Sequence, residues 1–247
     1  MKLSFVIPAH NEESCIAKCL ASVIEHKDKS GYDIEIIVVN NASVDATEKI
    51  AKSFRDVKVV NEPKKGLARA RQAGFKAATG ELIANIDADN RLTQQWIEKA
   101  MEAFEADEKL IALSGPLLYE DVPKRVLLMT NFFYHLAFLT YLMNRFVFKT
   151  GSMLQGGNFV VRREALQKIG GYDTDIYFYG EDADIARRLN RIGKVKFTFN
   201  FPIYSSGRRL IKEGVLKIGL RYTLNYFWII AFKHPFTNAK ATKEIRL

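Results

Sequence analysis

The sequence predicts an α/β fold in which helices flank a mostly parallel β-sheet. Over the first 115 residues, short apolar runs rich in β-branched residues alternate with segments of helical periodicity. Strands and helices that alternate in this way form a parallel sheet covered on both faces. The chain of 247 residues is 48% hydrophobic and 26% charged, which suits one large globular domain and excludes a disordered chain or a multi-span membrane protein.

Each predicted element follows from its local pattern. The segments with the composition of buried strands are Leu3–Ile7, Ile34–Val39, Val57–Asn61, Leu82–Ile86 and Leu110–Ser114. The segments with helical periodicity are Glu13–Glu25, Ala46–Phe54, Leu67–Ala78 and Thr93–Ala106, with Thr93 as the N-cap of the last. Parallel sheets bind ligands at the carboxyl ends of their strands, and polar residues collect there in this sequence. That edge is the predicted functional site.

Two later stretches, 124–149 and 208–234, are predicted to form amphipathic helices. The first is rich in aromatic residues and has no acidic residue between Val126 and Phe148. In the second, a polar row from Glu213 to Asn225 at i, i+4 spacing lies opposite an apolar face. Polar residues interrupt both stretches, so neither predicts a transmembrane span. Their apolar faces favour either a peripheral contact with an anionic membrane or packing on the domain or in a homodimer.

The formal net charge of +9 predicts an anionic partner, such as a phosphorylated small molecule or an anionic lipid head group. Nucleic acid is not predicted, because the chain has neither an RNA-binding aromatic signature nor a zinc finger. Cys15 and Cys19 lie on one predicted helix and are expected to be reduced. Because no signal-peptide pattern is present, the expected location is the cytoplasm, with the cytoplasmic face of the membrane as an alternative.

The Asp87-Ala88-Asp89 motif follows the fourth predicted strand. Two carboxylates one residue apart can together hold Mg²⁺ or Mn²⁺, and such an ion neutralises a diphosphate leaving group. The alternative is a structural Asp-rich turn ahead of the next helix. The motif alone leaves both interpretations open.

Further motifs occur in a fixed order around Asp87-Ala88-Asp89. They are Pro8-Ala9-His10-Asn11-Glu12, Asn40-Asn41-Ala42-Ser43-Val44-Asp45, Lys65-Gly66-Leu67-Ala68-Arg69-Ala70-Arg71, Gln155-Gly156-Gly157-Asn158, Gly170-Gly171-Tyr172-Asp173 and Gly180-Glu181-Asp182. Over residues 1–209 this order resembles the family 2 glycosyltransferases. The resemblance implies the Rossmann-like GT-A fold, with 1–209 as the catalytic domain and 210–247 as a C-terminal amphipathic helix and tail. Within the domain it implies a nucleotide-sugar-binding half, 1–115, and an acceptor and catalytic half, 116–209.

The resemblance also implies roles for individual residues. The predicted donor-binding residues are Pro8, Ala9, His10, Glu12, Asn41, Lys65, Arg71, Asp87, Ala88 and Arg208. Among them, Lys65 and Arg71 are expected to approach the diphosphate. Asp87 and Asp89 are the predicted ligands of Mg²⁺ or Mn²⁺, with no third protein ligand assigned. Asn41 stands where the family often has aspartate, and its amide adds hydrogen-bond donors, which leaves the base of the donor open with a UDP-sugar favoured.

Asp182 matches the family's general base, and Glu181 is the next candidate. Inversion requires a carboxylate on the face opposite the leaving diphosphate, where it deprotonates the attacking acceptor hydroxyl. The alternative is that both acids only favour the first turn of a helix. The predicted activity is inverting transfer from a nucleoside-diphosphate sugar to a hydroxyl or phosphate of a glycan, polysaccharide or lipid-linked acceptor. An inactive sugar-nucleotide-binding protein and a nucleotidyltransferase are the alternatives, and the latter usually has a Gly-rich basic loop where this chain has Pro8–Glu12.

Overall fold

The computed structural model describes residues 1–143, 153–177, 179–232, 234 and 236. The strands of this part of the chain are β1 (Leu3–Ala9), β2 (Ile34–Asn41), β3 (Val57–Glu62), β4 (Leu82–Ile86), β5 (Arg91–Leu92), β6 (Leu110–Ser114), β7 (Leu117–Tyr119), β8 (Asn158–Arg162), β9 (Lys194–Phe197) and β10 (Ile203–Ser205). The helices are α1 (Ile16–Ser30), α2 (Thr47–Lys52), α3 (Leu67–Ala77), α4 (Trp96–Ala106), α5 (Lys124–Met143), α6 (Arg163–Lys168), α7 (Glu181–Leu189), α8 (Arg208–Glu213) and α9 (Val215–Phe232). This order of elements confirms the predicted α/β class.

The central sheet has seven strands in the order β3-β2-β1-β4-β8-β6-β9. The pairs β1–β2, β2–β3, β1–β4 and β6–β9 are parallel, whereas β8 runs antiparallel to both of its neighbours, β4 and β6. The sheet is therefore mostly parallel, as predicted. Because β1, β2 and β4 point the same way, the loops that follow them meet at one edge of the sheet.

Core packing covers the two faces of the sheet with different helices. Alternate side chains of β1 point to opposite faces, so that Phe5 belongs to the core cluster that includes α1 and α4, and Val6 to the cluster that includes α3 and α7. On the first face the Trp96 ring is fully buried, with its centroid 5.6 Å from that of Phe5 and 4.5 Å from that of Phe201. Its indole Nε1 donates to Asn158 Oδ1 at 3.1 Å, which satisfies the one polar group of the side chain.

A second, smaller sheet, β5-β10-β7, lies beside the central one. It holds the segment after Asp89 against β10, and β10 is followed by α8. The Thr93 hydroxyl donates to the Pro202 carbonyl at 2.7 Å as part of this connection. Helix α4 begins at Trp96, with Gln95 at the N-cap in a left-handed conformation, φ 59°. The predicted N-cap role of Thr93 is therefore wrong, because its side chain is used in a long-range contact.

Helix α1 begins three residues later and ends five residues later than predicted, at Ile16 and Ser30. The Glu13 carboxylate accepts a hydrogen bond from the Ala46 amide at 2.9 Å, and the Glu13 amide donates to Asp45 at 3.1 Å. Glu13 thus links the loops after β1 and β2 and cannot also begin the helix. The helix ends at Gly31, whose φ of 70° is a left-handed cap that glycine adopts without strain.

The C-terminal region departs most from the prediction. The stretch 208–234 is not one helix, because Gly214, with φ 85°, separates α8 from α9. The two ends of the polar row of this stretch face inward: the Glu213 side chain is 7% exposed and Asn225 is 1% exposed, whereas Lys217 of the same row is exposed and Leu216 is 57% exposed. For the other stretch, α5 accounts for Lys124–Met143, and residues 144–149 lie outside the described residues. None of the described helices combines the length and apolarity required to cross a membrane.

Candidate active site

A cleft of about 520 Å³ opens at the carboxyl ends of β1, β2 and β4. Every predicted site residue lines it, namely Pro8, Ala9, His10, Glu12, Asn41, Lys65, Arg71, Asp87, Ala88, Asp89, Glu181, Asp182 and Arg208. These residues come from loops far apart in the chain, and the strand order brings them together. The cleft also has the size and the mixture of apolar and convergent polar groups typical of small-molecule sites.

Asn41 organises one end of the cleft. The His10 Nδ1 atom lies 2.6 Å from the Asn41 carbonyl oxygen, which joins the loops after β1 and β2. The Asn41 side chain accepts a hydrogen bond from the Gly66 amide at 2.8 Å and donates to two carbonyl oxygens of segment 62–64 at 3.0 and 2.9 Å. An aspartate here would have no donor for those two carbonyls. The asparagine side chain therefore satisfies the backbone groups of the loop that carries Lys65.

Asp87 and Asp89 lie on one side of the cleft with Arg208 beside them. Their side chains are 40% and 17% exposed, so both reach the cavity. Burial and then the Asp87 carboxylate raise the pKa of Asp89 to about 7. The Arg208 guanidinium offsets this charge: its Nη2 lies 3.4 Å from Asp89 Oδ2 and 2.5 Å from Glu12 Oε2.

The donor set fits a hard divalent cation that takes part of its coordination from elsewhere. Within the described residues, no three His, Cys, Asp or Glu side chains come together as a ready-made metal site. Two carboxylates are nevertheless the usual protein contribution where phosphate oxygens and water complete the shell of Mg²⁺. Such an ion requires a site of negative charge, and Asp87 and Asp89 supply that charge, which Arg208 compensates in this structure.

Two glycines allow the backbone to pass between the carboxylates. A Cβ atom added at Gly157 would lie 2.6 Å from Asp87 Oδ2, a distance at which one of the two must move. A Cβ at Gly156 would lie 3.3 Å from both Asp182 Oδ2 and Glu181 Oε1, which is tight but less severe. The Asn90 Nδ2 atom donates to the Gly157 carbonyl at 2.5 Å and fixes this segment against the Asp87 loop.

Arg71 lies beneath the cleft as a fully buried cation. Its Nη1 donates to Glu181, and its Nη2 donates to the Gly156 carbonyl and, at 3.1 Å, to Asp87 Oδ1. The guanidinium carbon is also 5.4 Å from the centroid of the Phe159 ring. One side chain thus connects the predicted metal carboxylate with the segment that carries the predicted base.

The two acids of the Gly-Glu-Asp motif have different surroundings at the start of α7. Glu181 is 4% exposed and faces Arg71, and burial raises its pKa to about 8 while the guanidinium opposes the rise. Asp182 is half-buried and lines the cleft, with Oδ1 accepting a hydrogen bond from the Ala183 amide at 2.8 Å. Burial raises the pKa of Asp182 as well. Of the two, Asp182 is the acid that has access to a substrate.

A cluster of Arg209, Glu213 and Arg221 around Tyr179, part of which lines the cleft, was not predicted as part of the site. The Tyr179 ring stacks beneath two guanidinium groups, with Arg209 at 5.2 Å and Arg221 at 5.0 Å from its centroid. The Glu213 carboxylate accepts from both arginines, at 3.0 and 2.7 Å. The i, i+4 spacing of Arg209 and Glu213 was a local signal for part of this cluster, but nothing in the sequence links Tyr179 to it.

Comparison with known proteins agrees with the geometry of the cleft. The family model described as glycosyl transferase family 2 matches residues 4–170. The probable glycosyltransferase YdaM of Bacillus subtilis is 30% identical over 206 residues, which cover 78% of this chain and 47% of YdaM. The glycosyltransferase GlyG of Streptococcus pneumoniae is 24% identical over 242 residues, covering 96% of this chain and 68% of GlyG. The chain thus spans about half the length of the first of these relatives.

Solved structures share the fold. The mannosyltransferase PcManGT from Pyrobaculum calidifontis, solved with GDP-Man and Mn²⁺, superposes with a TM-score of 0.66 at 21% identity, covering 96% of this chain and 65% of that one. S. aureus TarS in complex with UDP-GlcNAc superposes with a TM-score of 0.61 at 18% identity, covering 98% of this chain and 76% of that one. These likenesses confirm the predicted GT-A fold. Since the family model also covers well over half of its residues, the chain belongs to glycosyl transferase family 2.

Proposed function

We propose that this chain is an inverting, metal-dependent glycosyltransferase. It transfers a sugar from a nucleoside-diphosphate sugar, with a UDP-sugar favoured, to a hydroxyl or phosphate of a glycan, polysaccharide or lipid-linked acceptor. The observation that carries the proposal is that Asp87, Asp89 and Asp182 line one cleft and that buried Arg71 connects their segments. The donors in the PcManGT and TarS structures, GDP-Man and UDP-GlcNAc, support a nucleotide sugar as the ligand.

The donor occupies the half of the cleft between Asn41 and Asp89 in this proposal. Pro8, Ala9 and Asn41 surround the nucleoside end, and Lys65 and Arg208 supply positive charge for the diphosphate. A Mg²⁺ or Mn²⁺ ion held by Asp87 and Asp89 would neutralise the diphosphate as it leaves. Arg71 acts through its neighbours, because it is fully buried and holds Asp87 and Glu181 in place.

Asp182 acts as the general base at the other end of the cleft. It takes the proton of the acceptor hydroxyl while the acceptor oxygen attacks the anomeric carbon from the face opposite the diphosphate. The new bond forms as the bond to the diphosphate breaks, so the configuration at the anomeric carbon inverts, and the electron pair leaves with the diphosphate. Burial raises the pKa of Asp182, which makes its carboxylate a stronger base than an exposed aspartate.

Helices α5 and α9 support a peripheral contact with the cytoplasmic face of an anionic membrane. Neither helix contains an acidic residue, and each exposes large apolar side chains, such as Phe132 at 66% and Leu220 at 54%. A homodimer through the same faces is the alternative arrangement. Sedimentation with liposomes separates them: membrane binding rises with anionic lipid and weakens with salt, whereas a dimer stays in the supernatant at twice the monomer mass.

A donor screen tests the catalytic proposal. Thermal unfolding is followed with nucleoside diphosphates and nucleotide sugars of each base, with and without Mn²⁺. A specific donor stabilises the fold by mass action, and the shift should depend on Mn²⁺ in the wild type. Asp89→Asn should abolish the Mn²⁺-dependent part of the shift. Asp107→Asn, which alters a half-buried carboxylate that is paired with Lys194 and does not line the cleft, should retain it. Equal shifts with Mn²⁺ and with chelator would remove the metal from the proposal.

A further inference from the structure

A second cavity, of about 460 Å³, lies between α5 and α9 and meets the cleft beside Asp182. The residues that line both cavities are Tyr119, Gln155, Gly180, Asp182, Leu210, Ile218 and Tyr222. We call this second cavity the α5–α9 groove. Because Asp182 lines both cavities, a molecule lying in the groove has one end at Asp182.

The groove offers little to a polar ligand. Its helices contribute seven polar side chains. Four of them donate to the carbonyl oxygen four residues earlier in the same helix, at 2.8–3.0 Å, namely Thr130, Thr140, Thr223 and Asn225. The other three are tyrosines, of which Tyr134 donates to Gln155 at 3.1 Å and Tyr222 accepts from Arg209 at 3.3 Å. Of the described residues that line the groove, Asp182 alone carries a formal charge. A carbohydrate chain in this space would bury hydroxyl groups with few partners, which is costly, whereas an apolar chain needs none.

The apolar surface continues outside the groove. Leu136 of α5 and Phe227 of α9 line the groove and are also 49% and 53% exposed to solvent. Further along the same helices, Leu128 is 70% exposed and Leu216 is 57% exposed. Large exposed apolar areas mark interaction surfaces. Leu136 and Phe227 give the groove an apolar rim, which suits a chain that arrives from a lipid layer.

We infer that the α5–α9 groove binds the apolar chain of the acceptor, and that the acceptor is an amphipathic lipid whose hydroxyl or phosphate head group reaches Asp182. The inference rests on the proposed function, because it takes Asp182 as the base. It adds the acceptor class to that function. It also explains why the groove and the cleft share Asp182: the chain is held in the groove while the head group reacts in the cleft.

Binding of n-alkyl phosphates, from ethyl to decyl, tests the groove directly. Each compound is titrated calorimetrically into the full chain, below its micelle concentration and without divalent cation. Burial of each added methylene should increase the affinity about fourfold, equivalent to about 0.8 kcal/mol, until the groove is full. The n-alkyl glucosides of the same lengths carry an uncharged head, so comparing the two series shows whether the site prefers a phosphate or a hydroxyl.

Two variants fill the groove from opposite walls, Ala137→Phe on α5 and Thr223→Phe on α9. The matched control is Leu139→Phe, which places the same side chain on α5 at a position that is 55% exposed and does not line the groove. Each groove variant should lose the dependence of affinity on chain length and keep the wild-type affinity for UDP with Mn²⁺. The control should keep both.

The inference is overturned if affinity does not depend on chain length in the wild type, or if both groove variants keep that dependence. It is also overturned if a soluble oligosaccharide such as cellopentaose binds and the groove variants weaken it, since the groove would then hold a glycan. Failure of the proposed function looks different. In that case no nucleotide binds with Mn²⁺, while the chain-length dependence and its loss in the groove variants persist.

Discussion

Replacing Arg71 with methionine removes the cation beneath the cleft while filling much of its volume. The Arg71 side chain is 0% exposed and donates to Glu181, Asp87 and the Gly156 carbonyl. Breaking a buried pair by removing one partner costs about 3–5 kcal/mol. With a pKa of about 8, Glu181 is already mostly protonated at pH 7, so the variant leaves little uncompensated charge there, which favours the lower end of that range. We expect a loss of about 3 kcal/mol at pH 7, or about 6–12 °C in melting temperature for a chain of this length.

The loss of unfolding free energy in Arg71→Met should grow above pH 8, and the titration of Glu181 determines the direction of this change. Its pKa in the fold, about 8, lies above its ordinary value of 4.5, so its contribution to stability is greatest at low pH and falls as pH rises from 4.5 through 8. Without the guanidinium the pKa of Glu181 rises further, and the fall continues past pH 8 in the variant only. At about 1.36 kcal/mol per pH unit, Arg71→Met should lose up to about 2 kcal/mol more, relative to wild type, at pH 9.5.

Urea denaturation followed by circular dichroism at pH 7 and 9.5 measures these free energies. The set comprises wild type, Arg71→Met, Glu181→Gln and the double variant. Because the glutamine introduced by Glu181→Gln cannot ionise, the double variant should show no extra loss at pH 9.5, and its total loss should be smaller than the sum of the single losses. Additive losses, or an Arg71→Met loss that is the same at both pH values, would refute the buried pair as the cause.

Three further perturbations test separate parts of the structure. Asp182→Asn should lower turnover by a factor of about 10² to 10⁴ without changing donor affinity, as single-turnover transfer assays would show; normal turnover would pass the role to Glu181. Gly157→Ala should weaken Mn²⁺-dependent nucleotide binding, because the added Cβ would displace Asp87. The control is Gly170→Ala, where nothing lies within 4 Å of the added Cβ, so that it reports only the cost of an alanine at a positive φ. Equal effects of the two variants on Mn²⁺-dependent binding would contradict the proposed displacement of Asp87. Glu35→Gln should cost about 1 kcal/mol at pH 7, because burial raises the pKa of Glu35 but hydrogen bonds from Ser4 and Thr79 outweigh it and hold that pKa below 4.5. The stabilising contribution of the Glu35 carboxylate is present above pH 4.5 and lost below it. A stability difference between Glu35→Gln and wild type that grows on acidification would therefore contradict this role of Glu35.

Most of the strands that could be located from the sequence are buried on both faces, and β3, a half-exposed edge strand, is the exception. Leu82–Ile86 and Leu110–Ser114 have the predicted bounds, since a strand buried on both faces is one continuous apolar run. The two or three residues of β5, β7 and β10 carry no detectable period, and their pairing is decided by residues distant in sequence. The strand β8 was missed although its residues are apolar, because it directly follows a glycine motif that reads as a loop.

The composition of the cleft was predictable, but the partners within it were not. Strand ends of a parallel sheet meet, so motifs after β1, β2 and β4 had to share an edge. The burial of Arg71 could not be anticipated, because charged side chains are seldom fully buried unless paired, and its partner Glu181 is far away in sequence. The same limit applies to Glu213 at the end of α8, which faces inward because Arg209 and Arg221 meet it over Tyr179.

The position of β8 also governs how the chain can reach its folded state. It pairs with both β4 and β6, yet it follows them in sequence. Until residues 158–162 have left the ribosome, the facing edges of β4 and β6 have no partner, and unpaired edges of apolar strands promote aggregation. A fragment that ends near residue 115 would keep those edges open permanently. The segment 1–115 should therefore need chaperone protection during synthesis and should not be obtainable as a separate folded unit.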